Sequence, residues 1–583
     1  MKLKTKNGEL VSGHAKCADL LNKEALELMS SGVDLDERAQ RELLEQVDKV
    51  FTDQDNQMLD KPITNEEVWE SLLRANGSSS PGSDSISYSV YIHCWPLLGP
   101  HLCDVIRAVV EKGRPTESMK HSLLLFAPKN GKESSLLIKD KRKLAMLQTD
   151  HKILSGILAE RLRKTENHTL SPFQYPASHK RVTHAICQAR NALELTKNSN
   201  KGVAFYETDF EAAFDKMCVR WIWAVLRKKG CSEKFISVLR NLYETNDCYV
   251  ISVVNNQFLE RMVNKRKNIR QGDRTSSQLY SFAADPLLIL LNKRLQGLVY
   301  FKMQTAGPCH PLFGKPLLVT EKLSTCGFVD DVKGVLTSIN EFKILDDTLS
   351  CFERASGSRL HRSSETRKCN LLLAGRWHGW KQADSPLDYF AVVNDMNFLG
   401  VRLARCTSTS RAINSEDLSK KIQRKLNEYR AGRHPPLVIR PWMANTYLLS
   451  KISYRCGVIN LRSSDIKKIQ ASIKKWISQG LVQRPNEVLL FRPPELGGLG
   501  LTNVYARATA NLVKNFVEMG LRESKSASLY MNAIFRAFVC GEEGLSVKKP
   551  SFLPPEVFTI VKEAMQDSNI LLITTRGWQD RIT

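Results

Sequence analysis

Three aspartates in the sequence have the types and spacing that metal-dependent chemistry requires. Asp330 and Asp331 follow a short apolar run and precede a second one, Val332–Leu336, a pattern that predicts a hairpin with both carboxylates at its tip. Like charges that close raise each other's pKa unless a cation neutralises them, so a divalent metal is their natural occupant. Taken alone, an Asp-Asp pair is more typical of a solvated turn, and that alternative stays open at this point.

A third carboxylate strengthens the metal hypothesis. Asp209 ends the apolar run that begins at Val203 and precedes a predicted helix start. Two-metal nucleotidyl transfer needs carboxylates from separate strands to hold cations about 3.5–4 Å apart, one activating the attacking 3′-hydroxyl and one stabilising the leaving pyrophosphate. Asp209 with Asp330 and Asp331 would supply that set. Between them, residues 268–277 form a glycine turn before a helix predicted over 279–291, and such a turn can approach a nucleotide or template closely.

The elements around these residues predict a mixed fold between two helical regions. Short β-branched and aliphatic runs alternate with helical stretches between residues 118 and 400, the pattern of an α+β domain. The strand candidates in that region are 123–127, 203–206, 249–254 and 332–336. A capping box at 64–67 opens a helix before it. Apolar residues at helical spacing follow it, in the series that begin at Leu418 and at Ile466.

Charge and composition indicate a large folded protein that handles a polyanion. The 583 residues carry 85 Lys and Arg against 61 Asp and Glu, a net charge of +24, and 42% of them are hydrophobic. We expect no membrane association, because no apolar run approaches the ~18–20 residues needed to cross a bilayer. The fourteen cysteines form no CxxC pair and no zinc-spaced cluster, which favours reduced thiols inside the cell.

The order of short motifs between about residues 60 and 510 resembles the reverse transcriptases of non-LTR (LINE-type) retrotransposons. Each match alone is weak, but the whole series occurs in the family's order. The matching segments are SPGSD at 80–84, APKNG at 127–131, LQTDHKIL at 147–154, AERL at 159–162, DFEAAFD at 209–215, RQGD at 270–273, FVDD at 328–331, ASGSRL at 355–360, FLGV at 398–401 and PPELGGLGL at 493–501.

This resemblance implies an α+β right-hand polymerase fold of fingers, palm and thumb. It also implies a division of the chain into five regions. These are a helical N-terminal extension at 1–60, fingers with the entry motifs at 61–200, a palm with the metal-binding carboxylates at 201–405, a helical thumb at 406–520 and a C-terminal extension at 521–583.

Family resemblance also assigns the catalytic and metal-binding roles. Asp209, Asp330 and Asp331 would hold two Mg²⁺ or Mn²⁺ ions, with the carbonyl of Phe210 helping one of them. Phe214 occupies the place where RNA-dependent RNA polymerases tend to have a carboxylate that accepts a ribose 2′-hydroxyl. An aromatic ring there would exclude that hydroxyl and select deoxynucleotides, the alternative being a phenylalanine of the core.

Five further residues would contact substrate. Lys129 and Arg142 fall in finger segments that meet the template or the incoming triphosphate, although each could be a phosphate contact without catalytic weight. Gln271 and Gly272 would lie beside the incoming nucleotide and template. Lys368 stands where the family often has a lysine near the leaving pyrophosphate, and a solvated lysine is its alternative.

Departures from the family pattern lie in the loops and leave the metal ligands intact. Lys143 and Ala145 replace the proline and serine of an "RPIS" motif, Arg274 replaces a proline after RQGD, and Ser85 replaces a glycine after SPGSD. Because a proline or glycine fixes φ at such positions, these changes bear on nucleotide binding. They suit either a divergent active clade or a copy that has lost activity.

The expected function is RNA-directed DNA synthesis from a primer 3′-end, with an RNA template, a DNA primer and dNTPs as partners. The alternative is a catalytically weakened or inactive remnant that binds RNA or an RNA–DNA hybrid; a group II intron maturase fits less well, because the tail after the thumb is short. Neither the endonuclease nor the zinc knuckle usual in such elements is recognisable, so the chain is a candidate fragment of a longer reading frame. We expect it in the nucleus.

Overall fold

The computed structural model of the chain describes residues 2–566 with internal gaps. The gaps are at 6, 31–34, 78, 130, 176–181, 197–199, 245–246, 252–257, 265–267, 304–318, 433–434, 482, 521–528, 539–549, 551–552 and 554.

The N-terminal region is mostly helical but begins with a small hairpin. Its elements are β1 (Lys2–Lys4), β2 (Leu10–Ser12), α1 (His14–Ser30), α2 (Glu37–Leu44), α3 (Asp53–Asp60), α4 (Asn65–Leu73), α5 (Tyr88–His93) and α6 (Trp95–Lys112). The sequence predicted a helical extension here and gave no sign of the β1–β2 hairpin that precedes its helices. The hairpin could not be predicted locally because distant residues stabilise it. Lys4 forms a β-bridge with Leu137, and Leu3 packs in a cluster with Leu124. The capping box predicted at Thr64 is confirmed, since its side chain accepts from Glu67 N–H and starts α4.

The middle of the chain alternates strands and helices as predicted. Its elements are β3 (His121–Pro128), β4 (Lys141–Leu147), α7 (Thr149–Thr169), α8 (Val182–Thr196), β5 (Gly202–Glu207), α9 (Ala213–Lys216), α10 (Val219–Lys228), α11 (Glu233–Glu244), β6 (Asp247–Ile251), β7 (Phe258–Asn264), α12 (Ser276–Arg294), β8 (Leu298–Met303), β9 (Val319–Leu323), β10 (Thr325–Phe328), β11 (Asp331–Leu336), α13 (Asn340–Ser356), β12 (Cys369–Gly375), β13 (Phe390–Val393), β14 (Asp395–Phe398) and β15 (Val401–Ala404). The strands expected at 123–127, 203–206 and 332–336 and the helix expected at 279–291 are confirmed. The run 249–254 begins in β6, and its last three residues lie outside the described part.

The C-terminal region is helical. Its elements are α14 (Thr407–Ala431), α15 (Ile439–Met443), a π-helical turn (Ala444–Leu448), α16 (Leu449–Cys456), α17 (Ser463–Ile477), α18 (Glu487–Phe491), α19 (Val504–Gly520), α20 (Leu529–Phe538) and α21 (Pro555–Gln566). The two apolar series predicted for this region are buried as expected, one on α14 from Leu418 and one on α17 from Ile466.

A five-stranded central sheet in the order β10-β11-β5-β12-β13 organises the middle of the chain. Within β5, Ala204 and Tyr206 face one hydrophobic core with α7, α10, α12 and α13. Val203 and Phe205 face a second core with α8, α14, α16 and α17. Burial on both faces explains why this strand reads as an unbroken apolar run rather than an alternating one. The sheet is therefore a rigid support at whose edge the acidic residues stand.

The described residues also form four smaller sheets, of which β1–β2 and β8–β9 are two-stranded. A four-stranded sheet has the order β4-β3-β6-β7, and β14 and β15 form a hairpin beside the central sheet. No described helix is long and apolar enough to cross a membrane.

Candidate active site

Strands β10 and β11 form the predicted hairpin, and it carries the two adjacent carboxylates. Phe328 pairs with Asp331, so Val329 and Asp330 are the two residues of the turn. Val329 has φ +60°, a left-handed conformation that is an outlier for a β-branched residue and indicates local strain. The surrounding structure must therefore hold the turn in this conformation. The hairpin predicted from the sequence is confirmed.

Pairing between β5 and β11 brings the third aspartate to the same edge of the sheet. Lys333 pairs with Glu207, and beyond that pair the N–H and hydroxyl of Thr208 both donate to the carbonyl of Val332, at 3.0 and 3.1 Å. Asp209 follows directly, and its carboxylate is near enough for the Asp331 charge to raise its pKa. Two strands far apart in sequence therefore converge their acidic ends.

All three carboxylates have raised pKa values, with burial as the largest cause. Burial raises the pKa of Asp330 to about 6, and the charges of Asp331 and Asp209 add to the shift. Burial also raises the pKa of Asp331, against the opposing charge of Lys333. Neighbouring negative charges thus raise the pKa of Asp330 and of Asp209 beyond the effect of burial, and a bound cation would offset that repulsion.

The donor chemistry of this edge suits a hard divalent cation. Carboxylate and carbonyl oxygens are the ligands that Mg²⁺ and Mn²⁺ prefer. Phe210 forms a short β-bridge with Leu360. The two hydrogen bonds of this bridge use the carbonyl of Asp209 and the N–H of Glu211, so they leave the carbonyl of Phe210 unused. Within the described residues, no group of three His, Cys, Asp or Glu side chains is already gathered around one point suited to a metal. The fit therefore rests on donor type and shared charge.

Two lysines and a histidine surround Asp209. Lys368 immediately precedes β12, whose pairing with β5 continues toward Asp209, and its charge partly opposes the burial that raises the pKa of that carboxyl. Lys368 Nζ lies 3.0 Å from His361 Nε2, which is itself 3.4 Å from Asp209 Oδ2. Burial and the Lys368 charge lower the pKa of His361 to about 4, so its neutral ring can accept from Lys368. Lys129 belongs to the same cluster of charges. Burial lowers the pKa of Lys129, and the Lys368 charge lowers it further.

Phe214 lies at the start of α9 beside the acidic edge, with a half-buried side chain. Its ring packs against the Tyr280 ring at 5.3 Å between centroids, tilted by 37°. Tyr280 is fully buried, and the Asp330 charge contributes to its raised pKa. The aromatic pair thus adjoins the carboxylates, and Phe214 touches the core with part of its ring while the rest remains accessible.

The RQGD segment forms a turn that presses against β4. Gln271 accepts the Ala145 N–H through its carbonyl at 2.7 Å. Gly272 has φ +117°, and a Cβ there would come within 2.5 Å of the carbonyl of Ala145. Only glycine satisfies both the conformation and the close approach, so the turn and β4 are locked together.

A buried polar network supports that turn from below. Arg270 and His151 are fully buried, and His151 Nε2 lies 3.2 Å from Asp273 Oδ2. Asp273 also accepts from the N–H and hydroxyl of Thr275, at 3.0 and 2.8 Å. Arg270 stacks over the Tyr243 ring with its guanidinium 4.6 Å from the centroid. Arg270 and Asp273 belong to the RQGD motif, but their partners in this network could not be identified from that motif.

Residues that depart from the family pattern are built into the packing. Lys143 on β4 is buried and pairs with Glu24 of α1, Nζ to Oε1 3.4 Å. Arg274 lies over the Tyr88 ring, 5.5 Å from its centroid. Arg142, by contrast, is exposed on β4 opposite Ala127.

Sequence reasoning missed three residues that touch the site: Glu207, Lys333 and His361. A signal for two of them was present, because residues two apart on a strand share a face. Glu207 precedes Asp209 by two positions and Lys333 follows Asp331 by two. His361 had no such signal, since its contact with Asp209 depends on the path of the loop after α13.

Comparison with known proteins agrees with this geometry. Residues 127–403 match the reverse transcriptase (RNA-dependent DNA polymerase) family, a span that includes the acidic edge, the RQGD turn and the β14–β15 hairpin. The chain is also 24% identical over 445 residues to the Transposon TX1 uncharacterized 149 kDa protein of Xenopus laevis. That alignment covers 75% of this chain and 32% of the relative, so the chain spans about a third of the relative's length.

The family match therefore indicates a domain of the RNA-directed DNA polymerase class at residues 127–403, the region that carries the acidic edge. The resemblance to the reverse transcriptases of non-LTR retrotransposons that the motifs indicate is confirmed.

Proposed function

We propose that this chain synthesises DNA on an RNA template by extending the 3′-hydroxyl of a DNA primer with dNTPs. The observation that carries the proposal is the convergence of Asp209 with Asp330 and Asp331 at one edge of the central sheet, where the Asp331 charge adds to the burial that raises the pKa of both Asp209 and Asp330. Such a set serves two-metal nucleotidyl transfer, in which bound Mg²⁺ or Mn²⁺ activates the attacking hydroxyl and stabilises the leaving pyrophosphate.

The regions of the chain take the roles of a right hand in this proposal. Residues 61–200 form the fingers, 201–405 the palm with the central sheet, and 406–520 the helical thumb. Residues 1–60 and 521–583 are extensions. The close attachment of α1 to β4 through Glu24 and Lys143 supports an N-terminal extension that stiffens the fingers.

Side chains around the palm would bind and orient the substrates. Lys368, held by His361, and Lys129 offer positive charge to the triphosphate, where fixed cations stabilise charge that develops in the transition state. Arg142, exposed on the finger sheet, contacts a phosphate of template or nucleotide. Gln271 and Gly272 present their backbone to the incoming nucleotide and template.

Phe214 would select the sugar of the incoming nucleotide, deoxyribose over ribose. Its ring is braced by Tyr280, so it does not retreat easily from a substrate placed over the carboxylates. A hydroxyl at the ribose 2′ position would meet this ring without a hydrogen-bond partner, which disfavours ribonucleotides. The substrate class is accordingly the deoxynucleoside triphosphates.

Nuclear residence and binding to nucleic acid complete the proposal. Net charge +24 supports nucleic-acid partners, since each phosphate neutralised by Lys or Arg releases counterions and strengthens binding at low salt.

Primer extension tests the proposal. Purified protein is given an RNA template annealed to a DNA primer, Mg²⁺ or Mn²⁺ and labelled dNTPs, with Asp330→Ala as the test variant. Asp347→Ala, at an exposed position on α13, is the matched control. We expect extension by the parent and the control and none by Asp330→Ala.

A binding-only remnant is the alternative that this assay separates. If the parent retains an RNA–DNA hybrid at low salt but extends no primer with either metal, the polymerase proposal is wrong. Equal primer extension by Asp330→Ala and the parent would instead show that Asp330 is not a catalytic metal ligand.

A further inference from the structure

A buried lysine stands directly behind the metal-binding carboxylates. Lys333 lies on β11 two residues after Asp331, and its side chain is 2% exposed. The structure gives its ammonium an ion pair with Glu207 and a hydrogen bond to the carbonyl of Asn397 at 3.1 Å. Asp331 Oδ2 is 3.6 Å away, a longer contact than either. A lysine ammonium this close to a proposed metal ligand would compete with the metal ion for the carboxylate.

Glu207 is fixed from both sides in the position that restrains this lysine. One carboxylate oxygen meets Lys333, and the other accepts from Asn370 Nδ2 on β12 at 2.9 Å. Glu207 also faces Lys333 across the β5–β11 ladder, where the two residues pair directly. The arrangement joins three strands of the central sheet, so neither partner can swing away alone.

The carbonyl of Asn397 extends the network to the β14–β15 hairpin. It belongs to β14, and the Lys333 ammonium also lies over the Phe398 ring, 5.8 Å from its centroid. Lysine has three N–H donors. Two of them are used by Glu207 and Asn397, and the ammonium also forms the longer ion pair with Asp331 at 3.6 Å.

We propose that Glu207 is a positioning residue that holds the Lys333 ammonium back from Asp331 and thereby keeps Asp331 available to a divalent cation. The inference rests on the proposed function, because it assumes that Asp331 is a metal ligand. Without the Glu207 charge, the nearest carboxylate to Lys333 is Asp331, and a lysine drawn onto it competes with the metal for the same oxygen. Partners of this kind behind a metal ligand typically change metal affinity by about 10- to 100-fold.

The two single variants and the double variant separate charge from packing. In Glu207→Gln the freed Lys333 turns to Asp331, and we expect metal binding to weaken by about 10-fold or more. In Glu207→Gln/Lys333→Met the competing cation is gone, and we expect metal affinity to return to within about threefold of the parent, even though two buried groups have changed. A purely structural role predicts the opposite order, with the double variant at least as impaired as the single one.

Metal binding is read out without turnover. Mn²⁺ is titrated into the full chain bound to an RNA–DNA hybrid with a dideoxy-terminated primer and the next dNTP, and free Mn²⁺ is measured by its electron paramagnetic resonance signal. Melting temperature in excess chelator records stability separately. Glu67→Gln is the matched control, because Glu67 pairs with the buried Arg161 at 2.7 Å, between α4 and α7. It should lower stability and leave Mn²⁺ affinity unchanged.

The outcomes separate this inference from the proposed function. Weaker Mn²⁺ binding in Glu207→Gln together with recovery in the double variant supports it. Unchanged binding in Glu207→Gln, or no recovery in the double variant, overturns it even if the parent extends primers normally. Failure of the parent to extend primers while the titration behaves as expected would count against the polymerase proposal alone.

Discussion

Replacing Asp273 with asparagine should destabilise the protein in a pH-dependent way. Asp273 is buried beneath the Gln271–Gly272 turn and accepts from Thr275 and His151. Hydrogen bonding and charge from His151, with the nearby Arg270 charge, outweigh burial and hold the pKa of Asp273 at about 2, below its ordinary value of 3.8. Asparagine keeps the shape and can still accept one hydrogen bond, but it removes the charge.

The pKa difference sets the size of the effect. A carboxyl whose folded pKa is about two units low stabilises the folded state by about 2.5 kcal/mol once it is ionised in both states. Because the folded pKa is the lower one, this contribution is complete above about pH 4. It is lost as the pH falls toward 2. We therefore expect Asp273→Asn to lower the free energy of unfolding by about 2–3 kcal/mol at pH 7, and by progressively less below pH 4.

Urea denaturation of parent and variant at pH 7, 5, 4 and 3 measures this difference. Asp104→Asn, at a surface ion pair with Arg107, serves as the control and should show little change at any pH. The network would be less important than its geometry indicates if the gap at pH 7 were below about 0.5 kcal/mol. A gap that stayed constant down to pH 3 would refute the electrostatic origin. In primer extension, the loosened turn should raise KM for dNTP more than it lowers kcat.

Three other substitutions test separate parts of the structure. Phe214→Val should reduce discrimination against ribonucleotides by about 10-fold or more, measured as the ratio of kcat/KM for dNTP and rNTP, whereas an unchanged ratio would make Phe214 a core residue only. Glu166→Gln should raise the free energy of unfolding at pH 8 by about 2 kcal/mol, because burial raises the pKa of Glu166 from 4.5 to about 7. The carboxyl therefore destabilises the fold increasingly as the pH rises from about 4.5 to 7 and by a constant amount above 7, so the gain should vanish below about pH 4.5. Gly272→Ala should cost about 1–3 kcal/mol, since φ is +117° and its Cβ would meet the Ala145 carbonyl, and a melting temperature equal to the parent's would contradict that clash.

Local elements around the site were predictable because their signals are local. The run Val332–Leu336 and the apolar residues before Asp330 specify two strands with a two-residue turn, and the structure has that hairpin. Thr64 and Glu67 cap α4 reciprocally, as their spacing predicted. The first strands of the chain were missed, because β1 and β2 are too short to show a period and depend on distant partners.

The types and order of the residues were enough to indicate the class of protein and to single out the three acidic side chains proposed to hold its metal ions. Which charges surround these side chains depends on contacts between distant parts of the chain. Lys333 meets Glu207 across 126 positions of sequence and Lys143 meets Glu24 across 119, and no local pattern encodes such pairs. The physical reason is that burial turns an ordinary charge into one that must find a partner, and which partner it finds depends on how β5, β11 and β14 meet in the folded chain.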